Sequence, residues 1–462
     1  MKTRLALIIA ILLTLAIPLT ASAQVTSYTS GFQIQNLDPV NGASVDIVFY
    51  NQDGSSAATV NAVPIAAGDS YKAYPLDAVT SGFNGSVVVS SNTQVAAIAN
   101  VLGNNGQYGA SYDGFTAGAT TVNIPLVEKD NYGINTWFNI QNTASAGDAT
   151  VTVTYKPGAC TETKTVKPGA AQTFDQAANT CLPNGFVGAA TVSSGSVPVA
   201  ATVMQVIGPS RGLMPGLLAF NGFTTASTNP VMPLVSSGWY GSGTGIQIQN
   251  TGSGSSDVTL TFTPSADFPS AGKTVGNTCT QTLSVPGGQS VTFAFGTNAL
   301  PASCFTNQGS AGSAAFVGSA KVTGNTANAN LVAVVNQVTV GKASAEAYGA
   351  FDPSQATSKV SFPLIMDRNY GYFTGFAVAN VGAQTTNVNC TFNNSSVTVS
   401  GSVAAGQSLT NVQLNELGDK YVGSAVCTAT GGDAKIVGVA NELLAGAPAT
   451  TGALLVYEGI NY

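Results

Sequence analysis

Four times along this chain a strand-like phrase closes on an asparagine: GFQIQN at 31–36, WFNIQN at 137–142, GIQIQN at 245–250 and GFAVAN at 375–380. Asn36, Asn142, Asn250 and Asn380 lie 106, 108 and 130 residues apart. That spacing is too long for a solenoid turn and suits a small domain. Four residues before each asparagine stand Phe32, Phe138, Ile246 and Phe376; two before stand Ile34, Ile140, Ile248 and Val378. Gln33, Asn139, Gln247 and Ala377 fall between them. Alternation of this kind puts one side of a strand in a core and the other toward water. The asparagine suits the turn that follows, since its amide bonds nearby backbone and it tolerates left-handed φ.

Two further anchors recur in the same order. NGSVVVS at 84–90, VGAATVS at 187–193, VGSAKVT at 317–323 and VGSAVCT at 422–428 form the first; apolar runs beginning at Val95, Val199, Leu331 and Ile436 form the second. The pattern predicts an all-β chain: a tandem array of four antiparallel, Ig-like or jelly-roll-like β-sandwich modules. The expected boundaries are 24–118, 119–226, 227–355 and 356–462. Repeat 3 is longer because of Ser/Gly/Pro/Asn-rich stretches around 264–278 and 298–312, which read as surface loops. Connections between modules are short, which predicts a fairly stiff rod.

Residues 1–23 read as a Sec-type export signal: Lys2 and Arg4, an apolar run over 5–19, and Ala21-Ser22-Ala23 as the cleavage site. No later stretch approaches the ~20 apolar residues of a spanning helix, so a secreted or cell-surface protein without membrane insertion is expected. Charged residues are 8% of the chain, against ~25% in ordinary domains. Without Lys2 and Arg4 there remain 13 basic and 21 acidic residues, a net charge of −8. Such a surface does not attract nucleic acid. Six cysteines fall two to a repeat in repeats 2, 3 and 4. Placement at matching positions predicts the pairs Cys160–Cys181 and Cys279–Cys304, with Cys390–Cys427 as a cross-strand bridge.

The chain has no histidine. That removes the usual general base, the usual zinc or copper ligand and every Ser-His-Asp arrangement. A glycosidase needs only two carboxylates, but the glutamates are scattered: Glu128, Glu162, Glu346, Glu416, Glu442 and Glu458. They read as solvated surface residues. No catalytic residue, cofactor or metal is expected, and the chain reads as a non-enzyme. Tyr132, Tyr240 and Tyr370 each stand ten residues before an anchor asparagine. They are either half-buried closures of a sandwich edge or a row of sugar-stacking platforms, and the first reading is preferred. The sequons at Asn84, Asn389, Asn393 and Asn394 are candidate glycosylation positions.

With its export signal, repeats and neutral composition, the chain resembles, at the level of architecture, the secreted subunits of bacterial surface layers and extracellular filaments. That resemblance implies a structural subunit of a filament, sheath or surface layer that polymerises with itself. The alternative is a secreted adhesin or carbohydrate-binding protein with surface glycans as partners. Repeat 1 looks incomplete. Repeats 2–4 open with NIPLV at 123–127, VMPLV at 231–235 and SFPLI at 361–365, while the matching position before Asn36 is Leu19, inside the signal. An open sandwich exposes backbone and core. A strand from the C-terminal 452–462 of a neighbour, with Leu454, Leu455, Val456 and Tyr457 at its centre, is the expected donor, giving head-to-tail polymers. The rival expectation is a smaller sandwich with a blunted edge.

Overall fold

The computed structural model describes residues 25–208, 214–238, 242–265, 277–294, 315–326, 329–339, 341–452 and 454–462. Residues 1–23, read as the export signal, lie outside them, as do Tyr240 and Cys304 and with Cys304 the pairing expected for Cys279. Among the described residues the chain is all-β, apart from a 3-10 turn at Pro353–Gln355.

Repeat 2 shows the complete plan. Its strands are β8 (Thr121–Lys129), β9 (Ile134–Asn142), β10 (Ala149–Lys156), β11 (Thr161–Val166), β12 (Ala171–Asp175), β13 (Phe186–Ser193), β14 (Val199–Ile207) and β15 (Gly216–Asn221). They form two antiparallel sheets, β11-β10-β13-β8 and β12-β9-β14-β15. Alternation along β10 buries Val151, Val153 and Tyr155 between the sheets and leaves the intervening threonines partly exposed.

Repeat 3 repeats the order with β16 (Val231–Ser237), β17 (Ser242–Asn250), β18 (Ser256–Pro264), β19 (Cys279–Val285), β20 (Ser290–Ala294), β21 (Phe316–Gly324), β22 (Leu331–Thr339) and β23 (Ala345–Gly349). Repeat 4 does so with β24 (Lys359–Asn369), β25 (Tyr372–Asn380), β26 (Thr386–Phe392), β27 (Thr398–Val403), β28 (Ser408–Val412), β29 (Tyr421–Thr430), β30 (Ile436–Leu444) and β31 (Leu454–Glu458), plus β32 (Ile460–Asn461) on β24. Repeat 1 has β1 (Tyr28–Asn36), β2 (Ala43–Asn51), β3 (Ser56–Ile65), β4 (Ser70–Ala73), β5 (Gly85–Ser91), β6 (Val95–Gly103) and β7 (Tyr108–Asp113). Its sheets are β4-β1-β6-β7 and the three-stranded β3-β2-β5. Among the described residues it lacks the counterpart of β8, β16 and β24.

The anchor asparagines hold the turns. Each is buried and does the same work. Asn142 donates from Nδ2 to the carbonyls of Gly147 (2.8 Å) and Val166 (3.1 Å) and accepts from the Ala144 N–H (3.0 Å). Asn250 and Asn380 repeat this with Gly254, Val285 and Gly252, and with Gln384, Val403 and Gly382. Asn36 bonds Asn41, Ile65 and Asp38. One side chain thus ties the following turn to the end of a strand in the opposite sheet.

Two of the expected disulfides are present. Cys160 pairs with Cys181, and Cys390 on β26 pairs with Cys427 directly opposite on β29.

The stiff rod expected from short connections does not form. The last strands of the repeats meet in cyclic order: β7 packs against β15 and β31, and β23 packs against the same two. Small residues allow this approach. A Cβ on Gly109 would stand 2.9 Å from Leu455 Cγ, and one on Gly216 would stand 3.4 Å from Ala345 Cβ. Apolar clusters run across each junction. Met204 and Leu217 join Val101 and Tyr108; Val334 and Ala345 join the core of repeat 2. Val456 and Ala377 join that of repeat 3, and Ile98 joins that of repeat 4. One polar contact also recurs. Ser86 Oγ donates to Gly169 O (2.6 Å), Ser319 Oγ to Gly406 O (2.6 Å) and Ser424 Oγ to Gly68 O (3.4 Å). The last of these joins repeat 4 to repeat 1 and closes a ring. The short connections turn each repeat onto the next, because sheet faces with buried Gln, Ala and Val must be covered.

Candidate functional site: an open strand slot

In the closed ring each opening strand has two tasks. It completes its own sandwich by pairing with the sixth-position strand, as β8 does with β13, β16 with β21 and β24 with β29. Its outer side covers the facing sheet of the next repeat: β8 packs on β17 and β22, β16 on β25 and β30, β24 on β1 and β6. Between repeats 1 and 2 both tasks are undone.

The first consequence falls on the repeat 1 core. Ala190 and Val192 on β13, Ala320 and Val322 on β21, and Ala425 and Cys427 on β29 are all buried. Their counterparts Val87 and Val89 on β5 are only half-buried, as are Phe32, Val95 and Ala97 across the gap. The second consequence falls on repeat 2. Positions −3 and −1 from the anchor asparagine are buried as Gln33 and Gln35, Gln247 and Gln249, and Ala377 and Ala379, but Asn139 and Gln141 are half-buried. The third falls on backbone. In repeats 2 and 3 a residue after the last strand pairs with the opening strand: Phe223 and Asn123 exchange two bonds of 2.8 Å, and Phe351 and Val231 exchange bonds of 2.8 and 2.9 Å. Phe115 holds the equivalent place in repeat 1 and finds no such partner among the described residues.

The result is a cleft of about 1690 Å³ lined by Phe32, Val87 and Val89 on one wall and Trp137, Asn139 and Thr173 on the other. Its floor is apolar and one edge is an unpaired strand. A β-strand is the ligand that satisfies both at once.

The C-terminal segment expected to fill such a slot in a neighbour is already engaged. Leu454, Leu455, Val456 and Tyr457 form β31, which pairs along β30 within its own repeat. Leu455, Val456 and Tyr457 are buried, and Tyr457 donates its hydroxyl to Leu364 O. Withdrawing this strand would strip Tyr457 from the core of repeat 4, so it is no free donor. Periodicity showed a strand there but not its partner.

The tyrosines also differ from expectation. Tyr132 and Tyr370 are 53% and 88% exposed, at positive φ in the hairpin after the opening strand, so they close no sandwich edge. Tyr132 borders a smaller cleft of about 350 Å³ between repeats 2 and 3, lined also by Glu128, Asn131, Gln247 and Asn336. Of the sequons, Asn84 is exposed on the rim of the slot, and Asn389 and Asn394 are exposed on repeat 4. Asn393 is taken up in the ring, its Nδ2 donating to Asp69 Oδ1 at 2.6 Å.

Three glutamates read as solvated surface are buried. Desolvation raises Glu346 to about 8. Glu442 is likewise raised to about 8 by burial, against the Thr374 hydroxyl 3.0 Å from both its oxygens. Burial also raises Glu128, opposed by the amides of Asn131 and Gln205, each at 2.8 Å. Near the ring centre burial, and then the charge of Glu458, push Asp113 well up. Each is buried by the sheets that pack over it, and no local spacing announced it. Glu346 and Glu442 border neither cleft. Among the described residues no group of three or more His, Cys, Asp or Glu is placed to hold a metal ion, and no helix is long and apolar enough to cross a membrane.

No protein-family model matches the chain, and no curated protein matches it.

Proposed function

We propose that this chain is a non-enzymatic structural subunit of an extracellular assembly (a filament, sheath or surface layer) whose copies join by strand addition at the slot between repeats 1 and 2. One observation carries the reading. Three junctions of the ring are sealed by an opening strand, while the fourth leaves an apolar core and a strand edge open together. Isolated proteins blunt such edges, whereas assembling ones use them. Disulfides within repeats 2 and 4 suit an oxidising compartment. The test is electron microscopy and sedimentation of purified protein beginning at Gln24. Ordered polymers that disappear when Val87 and Val89 are both replaced by Asp support the reading. A ring-sized particle that stays monodisperse at all concentrations sinks it.

Glycan binding is the second reading, favoured by the exposed Tyr132 beside the cleft between repeats 2 and 3, where Asn131, Gln247 and Asn336 supply amides. Retention of the protein on a glycan column, lost in Tyr132→Ala, would move the assignment there.

A further inference from the structure

The slot carries the marks of a particular kind of strand. At the other three junctions the opening strand is held by the same devices, and each device has a counterpart here. The first is the inward pattern. Val122-Asn123-Ile124-Pro125-Leu126-Val127 in β8 and Val360-Ser361-Phe362-Pro363-Leu364-Ile365 in β24 bury apolar side chains at the first, third and sixth positions. In β16 the third and sixth are Met232 and Val235, also buried, around Pro233-Leu234. The proline falls where the pairing register slips, between Ile124 and Val127, Met232 and Val235, or Phe362 and Ile365. A bulge tolerates a residue without an N–H.

The second device is a tyrosine. Tyr348 on β23 and Tyr457 on β31 donate their hydroxyls to the carbonyls of Leu234 and Leu364, the residues that follow the prolines. The pairings Val335–Tyr348, Ala440–Tyr457 and Ala99–Tyr112 put Tyr112 of β7 at the same place in repeat 1. Tyr112 lines the slot, and its hydroxyl meets no partner among the described residues. Repeat 2 has Phe220 there and folds without the hydroxyl, so the sandwich itself does not demand one. The third device is backbone. Phe223, Phe351 and Ile460 pair with the second positions Asn123, Val231 and Ser361, the place at which Phe115 stands idle. The fourth lies on the outer side. Ser361 Oγ donates to Gln35 Oε1, the Pro363 carbonyl accepts from Gln33 Nε2, and the Pro233 carbonyl accepts from Ser408 Oγ at 3.1 Å. At the slot Gln141 and Asn139 stand in the places of Gln35 and Gln33.

Resting on the reading of the slot as a strand-acceptor site, we infer that the strand it accepts from a partner chain is of the opening-strand kind. It carries apolar residues at the first, third and sixth positions, a polar residue at the second and proline at the fourth, and it lies antiparallel to β5. No described segment of the same copy is free to be that strand, since β8, β16 and β24 each complete their own repeat. Repeat 2 sets the register: Ala190 faces Ile124, Val192 faces Val122 and Gly188 faces Val127. In repeat 1 the third position accordingly faces Val87, the first Val89 and the sixth Gly85. Tyr112 then donates to the carbonyl of the fifth residue, Phe115 pairs with the second, and Asn139 and Gln141 meet the outer side. One strand chemistry satisfies the half-buried core, the open edge, the tyrosine hydroxyl and the uncovered face of repeat 2 together.

The experiment titrates a synthetic peptide copying Thr120–Lys129 of β8 into oxidised protein beginning at Gln24, followed by calorimetry. One-to-one binding is expected, and a peptide carrying Val122→Asp and Ile124→Asp should not bind. Tyr112→Phe in the protein should weaken binding about two- to tenfold, the worth of one hydrogen bond, and leave the thermal midpoint of the free protein in place. Tyr457→Phe, whose hydroxyl is already engaged, should lower that midpoint. The register has its own measurement: a peptide with Ile124→Cys should form a disulfide with Val87→Cys protein, and one with Val122→Cys should not. Failure of the β8 peptide to bind, binding of the Asp peptide, affinity indifferent to Tyr112→Phe, or cross-linking without regard to register overturns the inference. Peptide binding to protein that never polymerises upholds the strand chemistry and sinks the assembly reading. Polymers that form while the peptide fails to bind uphold assembly and sink the strand pattern.

Discussion

The buried asparagine shows how much one side chain can organise. Its two amide protons satisfy carbonyls from two places in the chain, and its oxygen accepts the N–H two residues on. Leaving a buried acceptor unpaired costs about 1–3 kcal/mol. Asn142→Ala is expected to destabilise by that order for each orphaned carbonyl, read from the thermal midpoint. Asn142→Asp should cost at least as much, since a carboxylate keeps the turn-forming oxygen but cannot donate. Equal stability of the Asp variant and wild type would show that turn propensity, not the amide, matters. This role was legible because the residue recurs at one place in a strand pattern. The buried glutamates were not, because burial depends on which sheets face each other. They reverse the usual acid dependence. Glu346 and Glu442, with folded pKa values of about 8, bind protons in the folded state that the unfolded chain has released. Stability should therefore fall as pH rises from about 4.5 to about 8 and level off above that. Asp367 works the other way. Burial raises it, but the N–H groups of Leu417 and Asn415 and the Arg368 guanidinium outweigh this and hold it below its ordinary value. Its contribution is present above that ordinary value and is lost as pH falls through the lowered one. A thermal midpoint measured from pH 4 to 9 should decline toward the alkaline side, and Glu346→Gln with Glu442→Gln should flatten the slope. An unchanged slope would place the dependence in other groups.

Among elements, an opening strand with Pro-Leu at its bulge is the feature whose presence or absence matters most. Its absence from repeat 1 could be read by aligning the repeats, since the anchor asparagine fixes the frame. The donor could not be read that way. The apolar alternation of 454–458 marks a strand without saying that β30 is its partner, and strand count alone left it looking spare. Truncation after Ala449 should accordingly unfold repeat 4, because Tyr457 is a core residue there and Val456 is lost from the core of repeat 3, and leave no intact subunit to test. The state of the slot has a direct probe in valine-to-threonine exchange. At Val192, buried beneath β8, a hydroxyl without a partner costs about 1–3 kcal/mol. At Val89, facing the open slot, the same change should cost little in protein beginning at Gln24. It should cost as much as at Val192 once a strand is bound. Equal cost without any strand would mean that repeat 1 closes over its own gap. The disulfides bear on elements too. Removing Cys160–Cys181, which closes a loop of 21 residues, should cost about 3 kcal/mol on the chain-entropy view, measured with both cysteines replaced by serine.

At the scale of the molecule, the ring is the property that repeat analysis missed. Short connections limit how far each module can move but leave the angle between modules open, and that angle decides between a rod and a closed circle. Here it is set by surfaces. Buried glutamines and alanines on the outer sheets require a cover, and the last strand of each repeat is apolar enough to be buried against two others. The ring brings repeat 4 back to repeat 1, where Gln33 reaches Gly423 O at 3.2 Å and the Pro363 carbonyl. Closure also turns inward a surface that a rod would leave for the next subunit, since the fourth junction uses it up. On the proposed function, extension into a polymer passes through the slot or through the ring's faces, not through its ends. Asp69 and Asn393, 324 residues apart in sequence, touch across this fourth junction. Replacing both with cysteine should yield a disulfide within a single chain, visible as a compact monomer on a non-reducing gel at any dilution. In a rod these positions would sit in the first and last modules, and cross-links would form only between chains and vanish on dilution. That second outcome would remove the ring, and with it the shared wall that makes the slot between repeats 1 and 2 a site at all.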